Sequence, residues 1–273
     1  MSQEEKHYEF GKNWKRFLSL LSEERIGYSE KSLIEYLGAD NFAGRRFLDI
    51  GSGSGIFSLC AKRLGAAVHS FDYDEDSVNC TRELQRKYFP QSREDGSWII
   101  EQGSVLDEAH MEKFKDFDIV YSWGVLHHTG DMEKAFRLAS KTVKPGGILF
   151  ISIYNDIGWK TKLWKKIKKA YNKTPKIFRW IFVAGYIAGN WMPRMLRNTL
   201  RHANPFYSFT RRKKSRGMSE LYDTFDWLGG YPYETARCGE VLAKFRTYGF
   251  ELIKLNDSNG GLGCNEFVFV RKA

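Results

Sequence analysis

Leu48-Asp49-Ile50-Gly51-Ser52-Gly53-Ser54-Gly55 is the stretch on which the fold turns. A short apolar strand, Arg46 to Ile50, runs straight into alternating glycines. Ile56 to Leu64 then reads as a helix with Ile56, Leu59, Cys60 and Leu64 on one face. Glycine permits a tight strand-to-helix turn and lets the backbone approach a ligand closely. Such a turn alone is weak evidence for a site. It gains weight from Asp72, which ends the next apolar run, Ala67-Val68-His69-Ser70-Phe71-Asp72. A carboxylate at that point can accept from both hydroxyls of a ribose.

Outward from this turn the chain alternates strands and helices. Further strands are expected at Trp98–Glu101, Phe117–Ser122 and Ile148–Ile153, with helices from Asp76 through Leu84 and from Met132 to Thr142. Lys144-Pro145-Gly146-Gly147 reads as a turn feeding the fifth strand. Two more strands, Phe250–Leu255 and Glu266–Val270, close the chain as a hairpin behind a helix at Cys238–Tyr248. The expectation is an α/β, Rossmann-like architecture: a mostly parallel, seven-stranded sheet covered on both faces. Four segments are expected: an N-terminal helical segment at 1–43, a cofactor-binding core at 44–156, an insertion at 157–235 between the fifth and sixth strands, and the completion of the core at 236–273.

The net charge of +10 is unevenly placed. Residues 157–216 hold 17 Lys and Arg and no Asp or Glu, leaving 26 basic against 33 acidic residues elsewhere. Whatever this segment attracts should be anionic: phosphate, a membrane surface or nucleic acid. Trp159 to Tyr171 has amphipathic helical spacing, with Leu163, Ile167 and Ala170 on one face. A lid over the acceptor, a peripheral anionic membrane contact through 157–216, and an accessory packing unit are the competing readings. The longest apolar run, Trp180 to Gly189, is too short to span a bilayer. Residues 1–30 lack the apolar core of a secretory signal. The four cysteines, Cys60, Cys80, Cys238 and Cys264, have neither metal-binding spacing nor the density of a disulfide scaffold. A reducing, cytoplasmic setting is expected, with peripheral membrane association as the variant.

Charge logic separates two cofactor classes. A dinucleotide needs its pyrophosphate met at a helix N-terminus, with Gly in the sixth position of the motif, where this chain has Ile56. Asp49 immediately before the turn would oppose pyrophosphate but suits the cationic methionyl part of S-adenosylmethionine. Leu48 to Gly55, Phe71-Asp72, Asp118 to His128 and Val143 to Ile153 together resemble the signature regions of class I S-adenosylmethionine methyltransferases, especially small-molecule enzymes of the ubiquinone-biosynthesis type. The resemblance implies that Asp49, Gly51, Gly53 and Gly55 surround the methionine and sugar, that Asp72 holds the ribose and that Tyr73 borders adenine. Where many relatives carry an acid after the third strand, this chain has Ser104, so Ser104 and the Val105 backbone are expected to meet adenine. Ser122 is expected at the cofactor edge as well.

Acceptor chemistry is less marked. His127 and His128 follow the fourth strand at the ligand edge, and an imidazole can take an acceptor proton near neutral pH. Tyr154, just beyond the fifth strand, and the aromatic stretch Tyr222 to Glu234, with Asp226 and Glu234, are further catalytic candidates. His127, His128, Asp131 and Asp156 match no tight metal-ligand pattern, and no metal is expected. The expected activity is methyl transfer to an oxygen of a small molecule, sugar-, phosphate- or lipid-linked. The alternatives are an RNA or protein methyltransferase and a non-catalytic S-adenosylmethionine-binding module. Nucleic acid is the less favoured partner because no RNA-binding module is legible.

Overall fold

Along Arg46–Ile50 and Phe117–Trp123 neighbouring residues are sent to opposite faces of one sheet, and both faces are buried. A computed structural model of the protein describes residues 21–207 and 220–273; the expected helical stretch at 14–20 and the basic run 211–216 lie outside the described residues. Strands β1 (Arg46–Ile50), β2 (Ala67–Asp72), β3 (Trp98–Gln102), β4 (Phe117–Trp123), β5 (Val143–Tyr154), β6 (Phe250–Asn256) and β7 (Cys264–Arg271) form a seven-stranded sheet in the order β3-β2-β1-β4-β5-β7-β6. The first five strands pair in parallel, and β7 runs antiparallel to both β5 and β6.

The helices of this sheet are α1 (Glu23–Leu37), α2 (Ile56–Arg63), α3 (Glu75–Tyr88), α4 (Glu108–Met111) and α5 (Met132–Lys141). Those of the insertion are α6 (Trp159–Lys173), α7 (Trp180–Tyr186), α8 (Met192–His202) and α9 (Glu220–Gly229), and α10 (Cys238–Thr247) returns the chain to the sheet. On one face Phe47, Ile119, Tyr121, Phe150 and Val268 pack with Ile26 and Leu33 of α1 and Leu59 of α2. On the other, Leu48, Val120, Leu149, Phe267 and Phe269 pack with Phe136 of α5 and Phe245 of α10. Helix ends are set locally. Ser22 caps α1 by accepting from the Arg25 N–H, and Gly38 ends it in the left-handed region at φ 67°.

Lys144 to Gly147 is not a separate turn. It lies within β5, where the pairing with β4 jumps from Phe117↔Val143 to Ile119↔Ile148. Gly147 is packed there so closely that an added Cβ would lie 2.9 Å from the Phe117 carbonyl oxygen. The bulge keeps one strand continuous where the Pro-Gly-Gly pattern signals a break.

The chain divides into two compact units, one of residues 162–232 and one holding the rest of the described chain. The smaller unit has its own core: Tyr171, Val183 and Leu228, with Trp164, Ile167, Phe182 and Trp227 around them. Lys168 is fully buried in it, its ammonium donating to the Trp227 carbonyl and lying 4.0 Å from the Trp227 ring centre. Asn172 donates to the Gly229 carbonyl at 2.9 Å. One of the segment's lysines is thus an internal strut, unable to serve a surface anion. No described helix is long and apolar enough to cross a membrane.

Candidate active site

Strands β1 and β4 leave the middle of the sheet in opposite connection directions, and ligands of such sheets lie beyond the strand C-termini at this point. The glycine turn sits there. The Gly51 and Ser52 N–H groups both donate to the Phe71 carbonyl, at 2.8 and 3.1 Å, pinning the turn to the end of β2. Gly51 and Gly55 have φ of 78° and 79°. A Cβ on Gly51 would lie 2.4 Å from Val125, and one on Gly55 would lie 2.8 Å from the Thr81 backbone. These two glycines are therefore required by protein neighbours as well as by the turn. Gly53, at φ 55°, donates its N–H to the Asp72 carboxylate at 2.8 Å, and the other Asp72 oxygen accepts from the Asp74 N–H at 2.9 Å.

Asp49 is 2% exposed and accepts from the Ser58 hydroxyl at 2.5 Å; Ser58 joins Ser70 at 2.7 Å, and Ser70 accepts from the Trp98 indole N–H at 2.9 Å. The structure thus turns Asp49 to a protein hydroxyl. Burial drives its carboxyl up to about 7, with the neighbouring Asp72 adding to the shift. Burial likewise raises Asp72 to about 6, against the pull of its backbone hydrogen bonds. The groups that move both are burial, hydrogen-bond donors and further carboxylates, not a Lys or Arg. Two carboxylates held up by burial, with no Lys or Arg of the described residues acting on them, fit a positively charged ligand and oppose a pyrophosphate. On this chemistry the residues fit S-adenosylmethionine.

The other expected cofactor residues are placed as follows. Tyr73 is 62% exposed beyond β2, its carbonyl accepting from the Gln102 amide at 3.0 Å. Ser104 uses its hydroxyl to accept from the Leu106 N–H at 3.1 Å, and Val105 is buried in the core. Ser122 is fully buried and donates to the Ile50 carbonyl at 3.0 Å, clasping β4 to β1. Its hydroxyl is structural. His110 escaped the sequence reading. It is 6% exposed, wedged edge-on against Phe71 and Phe114, and its Nε2 has no hydrogen-bond partner among the described residues. Its ring occupies the space a Gly103 side chain would need, 2.0 Å from the added Cβ, just after β3.

On the β4–β5 side, Leu126–His128 forms a single 3-10 turn. His127 is fully buried with its ring centre 4.1 Å from that of Tyr154, while half-buried His128 lies edge-on to Tyr154 at 5.4 Å. Tyr233 packs against Tyr154 with ring centres 5.2 Å apart. The structure brings His127, His128 and Tyr154 together at the ends of β4 and β5. Glu234 has different work: one carboxylate oxygen accepts from the Gly130 N–H at 3.0 Å and the other from the Met132 N–H at 3.2 Å. That caps α5 beside the N-cap Asp131 and does not leave Glu234 poised as a base. Asp226 lies on α9, and its side chain is outside the described residues.

Around the end of β5, Asn155, Asp156, Cys238, Asp257 and Asn265 line a depression of about 430 Å³. The Asn265 side-chain amide donates to the Asn155 side-chain Oδ1 at 3.2 Å. Among the described residues no group of three or more His, Cys, Asp and Glu is arranged to hold a metal ion.

A polar row across four strands was also missed. Trp123, Ser152, Glu266 and Asn256 are register partners on β4, β5, β7 and β6. Glu266 accepts from the Trp123 indole at 2.7 Å, the Asn256 amide at 2.8 Å and the Tyr36 hydroxyl. Burial and Glu266 hold the Tyr36 phenol up at about 12. Among the described residues, the buried hydroxyls of Ser152, in this row, and of Tyr121 have no hydrogen-bond partner. Strand register alone unites these residues, so no local pattern could have found them.

Residues 22–208 match the family model described as a methyltransferase domain. Among curated proteins the chain is similar to the ubiquinone biosynthesis O-methyltransferase of Rhizobium etli, 28% identical over 58% of this chain and 60% of the relative. It is 30% identical to that of a Shewanella species, over 50% of this chain and 53% of the relative. The chain thus spans about half the length, or a little more, of these relatives. Its fold matches magnesium protoporphyrin IX methyltransferase from Synechocystis, solved with bound SAH, at 13% identity and TM-score 0.56 over 96% of this chain and 95% of that one. With the Rossmann-like class I methyltransferase fold and a family model covering more than half its length, the chain belongs to the methyltransferase-domain family.

Proposed function

We propose that the protein transfers a methyl group from S-adenosylmethionine to an oxygen of a small-molecule acceptor. The observation that carries this reading is the pair of carboxylates, buried Asp49 and half-buried Asp72, lying behind and beside the glycine turn with their pKa values raised. Such a pair gains from a cationic donor. The O-methyltransferase names of the similar curated proteins support an oxygen acceptor.

When bound, the donor supplies an electrophilic methyl carbon. The chain's own residues hold and orient. Asp72 steadies the Gly53 N–H and offers its remaining lone pairs to the ribose hydroxyls; Tyr73 and the Ser104–Val105 backbone border adenine. His128, the half-buried imidazole of the His127–His128–Tyr154 cluster, takes the acceptor proton, with Tyr154 fixing its orientation. Alignment of donor and acceptor supplies the larger part of the rate. The acceptor is read as sugar-, phosphate- or lipid-linked, in keeping with the basic insertion.

The test is a panel of phenolic, sugar and lipid-linked hydroxyl compounds incubated with protein and donor, read by mass for the gain of one methyl group. A methylated hydroxyl product supports the reading. Donor turnover only with amine or carbon acceptors, or with RNA, overturns the oxygen assignment.

A further inference from the structure

Helix α8 leaves its apolar stripe exposed. Met192, Leu196 and Leu200 stand one turn apart on a single stripe, yet they are 62%, 63% and 79% exposed, while Asn198 is the helix's buried residue. A helix serving only its own core would face the other way. Arg197 and Arg201 are exposed beside the stripe. Earlier in the same unit, around the 3-10 turn Lys176–Phe178 and the start of α7, Ile177, Phe178, Trp180 and Ile181 are each more than half exposed. Lys173 and Lys176 are exposed among them. Exposed large apolar side chains gathered in one small unit mark an interaction surface.

Charge selects the occupant. From 157 to 216 there are 17 basic residues and no acidic one. A second copy of the same surface would set like charge against like. A nucleic acid would meet the charge, and Phe178 and Trp180 could stack on bases, but it would leave the aliphatic stripe of Met192, Leu196 and Leu200 without an apolar partner. An anionic bilayer meets both demands, with phosphate headgroups for the Lys and Arg heads and the acyl boundary for the apolar stripe. Helix α8 continues from α7 through the π-helical segment Ile187–Trp191, and no described helix is long and apolar enough to cross a membrane, so this stretch is suited to lie along the interface.

We infer that the unit of residues 162–207 docks on an anionic membrane surface, inserting Met192, Leu196 and Leu200 and the 177–181 turn into the headgroup boundary. This surface stands whatever group accepts the methyl.

Vesicle flotation of the full chain tests it, using phosphatidylcholine alone and phosphatidylcholine mixed with phosphatidylglycerol. The protein should float only with the mixed vesicles, less so at high salt. The double variant L196E/L200E should lose at least about tenfold in partitioning, because a buried leucine contributes more than one decade. Its affinity for S-adenosylmethionine, measured by calorimetry without vesicles, should be unchanged, which separates loss of docking from loss of fold. R197E/R201E should erase the preference for the anionic vesicles. No flotation, equal flotation with neutral vesicles, wild-type partitioning of L196E/L200E, or displacement from vesicles by RNA would each overturn the inference.

Discussion

Replacing Asp49 by Asn separates the stability of the fold from its ability to hold a cation. In the ligand-free protein the Asp49 carboxyl titrates at about 7, against 3.8 for the ordinary group, chiefly because it is 2% exposed. A carboxyl raised in the folded state favours folding below its ordinary pKa and withdraws that support as pH climbs through the window from 3.8 to about 7. At about 1.4 kcal/mol per pKa unit, ionising Asp49 costs on the order of 4 kcal/mol by pH 8. The variant D49N carries no such charge, and its carbonyl can still accept from Ser58. Allowing for an amide N–H that must find a partner, D49N should gain roughly 2–4 kcal/mol over wild type at pH 8 and little at pH 4. Urea denaturation at both pH values reads this directly. The same variant should bind S-adenosylmethionine at least about tenfold more weakly at pH 8, through the lost attraction for a cation. A D49N protein equally destabilised at both pH values, or one binding the donor as wild type does, would refute the argument from buried charge.

Three other substitutions probe separate parts of the site. Gly103→Ala should cost about 1–3 kcal/mol in urea unfolding, because the His110 ring it would strike is wedged between Phe71 and Phe114; unchanged stability would mean the ring yields freely. Glu234→Ala removes both acceptors at the start of α5 and should cost about 1–2 kcal/mol while sparing the turnover of the protein that remains folded; lost turnover at full stability would restore Glu234 to the chemistry. His128→Ala should lower turnover by about 100-fold or more with donor affinity intact, the effect of a lost general base. Turnover near wild type at neutral pH would remove His128 from that role.

What could be read from the residues follows how local the physics is. The apolar runs at 46–50, 67–72 and 98–101 become parallel strands, because strands covered on both faces need no polar alternation. The glycine turn and Asp72 were legible through spacing, and the insertion through its charge. Hydrogen-bond partners were not. Glu234 reads as an acid in an aromatic loop until the structure shows two backbone amides in front of it. Lys168 is indistinguishable in sequence from its neighbours Lys165, Lys166 and Lys169, yet it alone of the four is buried, under Trp227. Lys144 to Gly147 carries turn residues, but pairing with β4 on either side makes it a bulge. Glu266 and Tyr36 lie far apart in the chain and meet only through the stacking of α1 on β5, where Tyr36 and Phe150 rings stand 4.7 Å apart.

Calorimetry of donor binding near pH 6.5, repeated in buffers of different ionisation enthalpy, addresses the paired carboxylates most directly. S-adenosylmethionine should bind with net proton release, as Asp49 and Asp72 ionise toward the cation, and NAD should not bind measurably. Binding of NAD, or uptake of S-adenosylmethionine with no proton released, would contradict the account.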